Sequence, residues 1–176
     1  MYFFVWFYVV LNIIVSIVYN GPKIMDMKNV TMKNKWIALF FIVAHDSISS
    51  IIIGLLFAML IDLILYKKID GSKMALLNII QIVVILSFLQ HHMCLLTIWY
   101  NQLLGLPKCT RYHLSTFVLV NFVLGKPLRG KDTDTIPYKN IDCLDNYLMW
   151  TRTSYIYLVV ILTLNIIYIV QTAKLV

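Results

Sequence analysis

Apolar side chains run almost unbroken through residues 2–19, 36–66, 74–104 and 153–170, and polar residues gather between these runs. A helix of roughly 18–20 apolar residues crosses a bilayer core about 30 Å thick, so each run is long enough to span. The runs are continuous and do not alternate in segments of about ten residues, as barrel strands would. A helix closes its backbone hydrogen bonds within its own segment, which hydrocarbon demands of any chain crossing it. The pattern therefore predicts an all-α membrane protein with four transmembrane helices in a single polytopic domain over residues 1–176.

The polar intervals give the connections. Gly21-Pro22 reads as the exit from the first span, and Asp70-Gly71 as a tight turn that folds spans two and three into an antiparallel hairpin. The connection 105–152 is the only long one. Within it, residues 114–124 are apolar but too short to cross, which predicts an interfacial or re-entrant segment between helices 3 and 4. Residues 128–137 read as an exposed loop, and Tyr147, Trp150 and Tyr155 as an aromatic group at a membrane boundary.

Composition sharpens this picture. With 61% hydrophobic residues and a mean hydropathy of +0.82, the 176-residue chain leaves no room for a separate soluble domain. The net charge of +7 does not point to nucleic acid, because the basic residues lie in the connections and form no stripe. Lys23, Lys28, Lys33 and Lys35 fall in the first connection. Lys108, Arg111, Lys126, Arg129, Lys131, Lys139 and Arg152 fall in the third. Only Lys67, Lys68, Lys73 and Lys174 fall on the other side. This bias places the first and third connections on the cytoplasmic or matrix-like side. Asn29-Val30-Thr31 matches a glycosylation acceptor, and its modification would reverse that orientation. All eight acids are Asp, and the heavy use of Ile, Asn and Lys is a bias of AT-rich coding genomes. The N-terminus lacks a basic leader and a cleavage site, so residues 2–19 are read as a retained span. An integral protein of the mitochondrial inner membrane or of an endomembrane fits these features.

Polar residues inside the runs are the candidates for function, since each needs a partner in hydrocarbon. Asp46, Ser50, Gly54, Ala58 and Asp62 recur every four residues and share one helix face, a packing seam or a hydrated face. Asn78 and Gln81 share a face of span three and are expected to pair with that seam. Asn12 and Ser16 in span one, and Thr163 and Asn165 in span four, read as packing contacts. In a hairpin turning at Asp70, His45 lies 25 residues before the turn and His91 and His92 lie 21 and 22 after it. The mismatch is only about 5 Å of axial rise. His45, Asp46, His91, His92 and Cys94 are thus a candidate polar cluster near the inner interface. Its three histidines are the candidate metal ligands, for haem iron or a divalent metal, although their spacing matches no ligand box. No cofactor is predicted. Cys109, between Lys108 and Arg111, is a candidate for lipidation.

The sequence shows no phosphate-binding loop, dinucleotide fingerprint, nucleophile elbow or selectivity filter. The expectation is a non-enzymatic membrane subunit, an accessory or scaffolding component that contacts the lipid bilayer and other membrane protein subunits. The alternatives are a small membrane enzyme or redox protein using the His/Asp/Cys cluster, and an oligomeric transporter or channel subunit using the Asp46–Asp62 face.

Overall fold

A computed structural model describes residues 2–91, 94–106 and 143–173, which are helical wherever they are regular. Among the described residues five helices follow one another: α1 (Tyr2–Met25), α2 (Met32–Tyr66), α3 (Gly71–His91), α4 (Leu95–Leu104) and α5 (Cys143–Ala173). Two of them are long and apolar enough to cross a membrane, over Phe3–Met25 and Met32–Tyr66. Gly71–Ser87 of α3 and Leu158–Ala173 of α5 are shorter apolar helical stretches.

The first correction concerns Gly21-Pro22, which lies inside α1 and does not end it. A residue before proline normally leaves the helical region because its Cβ meets the proline ring. Gly21 has no Cβ, so the helix runs on to Met25. There the Lys35 ammonium donates to the Met25 carbonyl at 2.6 Å, capping an end that has no further helical turn to accept from it. α2 begins at Thr31, whose hydroxyl accepts from the Asn34 N–H at 3.3 Å as an N-cap.

At 35 residues, α2 is about 52 Å long and is the spine of the bundle. α1 lies antiparallel along it, with Val5 and Tyr8 against Gly54. At the other end of that pair, Ile24 shares a core with Ala38, Leu39 and Ile42 of α2 and with Tyr100 and Leu104 of α4. A second core joins Ile52, Leu55 and Met59 of α2 to Met74 and Leu77 of α3 and to Ile161 and Leu164 of α5.

Lys67 ends α2 in the left-handed conformation, φ 52°. Asp70 starts α3, accepting from the Ser72 N–H at 2.9 Å and the Ser72 hydroxyl at 2.7 Å. These bonds, that from the Ser72 hydroxyl foremost, hold the exposed Asp70 carboxyl below its ordinary range. A lowered folded value means that this cap is fully present above the ordinary carboxylate range and is lost as pH falls through the folded value. Asp70→Ala is expected to cost about 1 kcal/mol in a denaturant titration at neutral pH, and less once the carboxyl is protonated.

The second correction concerns the run 74–104, expected as one span. It is two helices. α3 ends at His91, Cys94 is extended (φ −62°, ψ 125°) and α4 begins at Leu95. The Ser87 hydroxyl accepts the Leu95 N–H at 2.9 Å, satisfying a donor that the break frees. α4 closes on Gly105 at φ 67°, with the Leu106 N–H returning to the Asn101 carbonyl at 2.9 Å. Hydropathy reports burial and not backbone continuity, and no Gly or Pro lies between Leu86 and Leu104 to announce the break.

The start of α1, the α2–α3 turn and the end of α5 lie at one end of the bundle. The α1–α2 connection and the end of α4 lie at the other. Gln171 of α5 fixes this arrangement. Its carbonyl accepts the Ile69 N–H and its amide donates to the Lys67 carbonyl, each at 3.0 Å.

Candidate functional site

All five residues of the four-residue stride, Asp46, Ser50, Gly54, Ala58 and Asp62, are buried along α2. They do not form one uniform seam. Gly54 is a contact point for α1, where an added Cβ would stand 3.1 Å from Val5 Cγ1. Across from Asp46 and Ser50, α1 presents its own polar stripe. Asn12, Ser16 and Asn20 are four apart, share a face and are almost fully buried. The Val5–Gly54 contact sets the antiparallel register and brings Asn12 level with Asp46 and Ser50. Most of these groups bond back into their own helix. Asn12 donates to the Tyr8 carbonyl at 2.8 Å and Ser50 to the Asp46 carbonyl at 2.7 Å. Ser47 and Ser49 do the same to Val43 and His45. Such back-bonding satisfies a hydroxyl without a partner helix.

The far end of the stride holds a different arrangement. The Lys73 ammonium, at the start of α3, donates to Asp62 Oδ2 at 2.5 Å and lies 3.6 Å from Asp70 Oδ2. Lys73 and Asp62 retain only 4% and 6% of their exposure, so this is a buried ion pair and not a surface one. Tyr168 of α5 packs on the start of α3, its hydroxyl against Gly71, where a Cβ would stand 2.5 Å away. Together with Gln171 this ties α2, α3 and α5 at one end.

The third correction concerns Asn78. It pairs with Asn165 of α5 and not with the seam on α2. Each amide donates to the other's carbonyl, at 2.9 and 3.1 Å. Asn165 also donates to its own helix at the Ile161 carbonyl, at 2.9 Å. Gln81, one turn on from Asn78, is buried. Interhelical amide pairs of this kind carry about 0.6 kcal/mol, with a ceiling near 1.7, since the separated helices find other partners. Asn78→Leu is therefore expected to cost about 1 kcal/mol, and Asn78→Leu with Asn165→Leu less than the sum, read from unfolding of the protein in detergent micelles. Thr163 of α5 faces outward and bonds to the Val159 carbonyl at 2.8 Å.

Of the histidine cluster, His45 and Asp46 are neighbours whose Nδ1 and Oδ1 lie 4.0 Å apart, beyond hydrogen-bond distance. Cys94 is partly buried at the N-cap of α4. Phe41 and Trp99 meet with ring centroids 5.3 Å apart, and each lies five residues from Asp46 and Cys94 respectively. That register puts Cys94 near the level of Asp46. The His91 side chain and His92 lie outside the described residues, as do Cys109, the segment 114–124 and the loop 128–137. Among the described residues, no group of three His, Cys, Asp or Glu side chains stands close enough to hold a metal ion.

Lys73, Asn20, Tyr168 and Gln171 are the site residues that the sequence pattern did not single out. For Lys73 a signal was present. Asp62 lies four residues before the end of α2 and Lys73 two after the start of α3, so a turn between them sets opposite charges side by side. Chemically, the Asp62–Lys73 and Asn78–Asn165 pairs hold helices together, while Asn12, Ser47, Ser49 and Ser50 bond to their own backbone. Comparisons with protein-family models, with curated proteins and with solved structures return no match.

Proposed function

We propose that this chain is a non-enzymatic integral membrane subunit, an accessory or scaffolding component of a larger membrane protein complex. One observation carries the reading: the molecule is inside out for water. Asp46, Asp62, Lys73 and Asn12 are buried, while Phe3, Phe4, Val18 and Ile64 are 73%, 72%, 68% and 67% exposed. A soluble protein rarely shows a broad apolar exterior around charged groups. A bundle in lipid requires that distribution.

Depth along α2 agrees. With Trp36 at one boundary, Asp46 lies ten residues on, about 15 Å deep and at the middle of a ~30 Å core. Asp62 lies roughly 39 Å along, past the far edge of that core for an upright helix. The ion pair is thus placed near the opposite interface, where its cost is lowest. Lys23 over the Tyr19 ring, 3.8 Å from its centroid, is a boundary feature of the same end as Trp36. The charge bias places that end on the cytoplasmic or matrix-like side.

In the isolated chain α5 packs on α3 and the α2–α3 turn at the edge of the bundle, with a flank that meets lipid and that a partner helix can take over in a complex. Its Val159, Leu162, Ile166 and Ile169 remain exposed. Alkaline carbonate extraction followed by gentle solubilisation and mass measurement tests the reading. The protein is expected to stay in the membrane fraction and to run in a particle larger than its 20.5 kDa. Release by carbonate would end the membrane reading, and a strictly monomeric micellar particle would end the subunit reading.

A further inference from the structure

We propose that the groove between the first turns of α2 and the last turns of α4 is a binding site for an anionic phospholipid, an inference that rests on the membrane reading above. The groove is lined by Asn34, Ile37, Phe41, Trp99, Gln102 and Leu103. These six residues are graded along its length. The amides of Asn34 and Gln102, with Leu103, stand toward the end of the bundle, and Ile37, Phe41 and Trp99 lie farther in. Phe41 and Trp99, tilted by 53° to each other, form a wall, and Trp99 is 40% exposed. This order matches a glycerolipid, with hydrogen-bond donors at headgroup depth and apolar surface at acyl depth.

The charge at the mouth selects the headgroup. The stretch from Lys23 to Lys35 holds four lysines against Asp26 alone. Lys35 is occupied by the Met25 carbonyl, and Lys23 sits over Tyr19. Lys33, exposed beside Asn34, and Lys28 remain for a phosphate. The phosphate rests against these ammonium groups and the two amides, and one acyl chain lies along Phe41 and Trp99. A lysine near an anionic lipid surface favours it by about fivefold.

The test uses Trp99 as the reporter. The full chain, with Trp6, Trp36 and Trp150 replaced by Phe, is reconstituted into phosphatidylcholine vesicles. Brominated lipid, which quenches tryptophan on contact, is introduced either as phosphatidylglycerol or as phosphatidylcholine. A second variant keeps only Trp6, on the exposed face of α1. Trp99 is expected to be quenched several-fold more efficiently per mole of brominated phosphatidylglycerol, with saturation at low mole fraction. Lys33→Gln with Lys28→Gln is expected to remove most of that preference, bringing quenching by the two lipids close to equal. Trp6 is expected to be quenched equally by both lipids. Equal quenching of Trp99 by both lipids would overturn the site and leave the membrane reading standing. Loss of quenching at both Trp6 and Trp99 would overturn the membrane reading itself.

Discussion

Lys73→Met is expected to destabilise the bundle by about 3–5 kcal/mol, the largest effect of any single substitution considered. The change removes the ammonium and leaves the Asp62 carboxylate buried without its partner, a far heavier penalty than the net worth of an intact pair. Side-chain exposures of 5% for Lys73 and 9% for Asp62 put the pair in that regime, well away from the 0–1 kcal/mol of exposed pairs. Asp62→Leu alone strands the ammonium instead, with partial relief from Asp70 at 3.6 Å, so its cost is expected to be smaller. The double variant Asp62→Leu/Lys73→Met removes both charges together and is expected to recover most of the loss. Unfolding by denaturing detergent in mixed micelles measures all three. Additive single and double effects would show that the two side chains do not interact.

Gly54→Leu is expected to cost about 2–3 kcal/mol and to loosen α1 from α2. An added Cβ already stands 3.1 Å from Val5 Cγ1, 3.7 Å from Tyr8 Cδ1 and 3.7 Å from the Val5 Cα. The last of these is backbone, so the rest of a leucine side chain fits only if the whole of α1 moves. Gly54→Ala is expected to be milder, because its single Cβ asks Val5 Cγ1 to shift by only a few tenths of an ångström. Val5→Ala in the Gly54→Leu background is expected to restore part of the loss, leaving the Tyr8 and backbone contacts unrelieved. A pair of cysteines across the α1–α2 contact, oxidised in the membrane, reports the separation directly: crosslinking is expected to fall in Gly54→Leu and to hold in Gly54→Ala.

The helical class, the turn near Asp70 and the buried four-residue stride on α2 were all legible in the sequence, because each is a periodic or compositional signal. Long apolar runs report helices suited to hydrocarbon. A stride of four reports one face. What the stride faces is not periodic information. The same pattern that sets Asp46 and Ser50 opposite Asn12 also sets Gly54 on Val5, and only the register of α1 tells them apart. Gly21-Pro22 misled for a local reason, since a glycine before proline removes the clash that usually ends a helix. The split of residues 74–104 left no trace in hydropathy, because an apolar residue reads the same in a helix and in an extended link. Asn78 found Asn165 and not the α2 face because its partner lies 87 residues away across a long connection. Nothing local to either asparagine specifies that pairing. The Asp62–Lys73 pair was within reach, given opposite charges at similar distances from a turn, yet Lys73 reads as a loop residue until the start of α3 is known.

The account rests on the claim that the apolar flanks of these helices meet acyl chains while the polar groups between them meet protein. Collision accessibility of spin labels in lipid vesicles tests that most directly, with labels placed singly at Ile14, Val83 and Ile166, and at Ser50, in a chain whose Cys94, Cys109 and Cys143 are replaced. The first three positions are exposed at 52%, 64% and 61%, whereas Ser50 is fully buried. Labels at Ile14, Val83 and Ile166 are expected to collide freely with dissolved oxygen and scarcely with a water-soluble nickel complex, and the label at Ser50 with neither. Strong collision with the nickel complex at Ile14, Val83 and Ile166 would contradict the account.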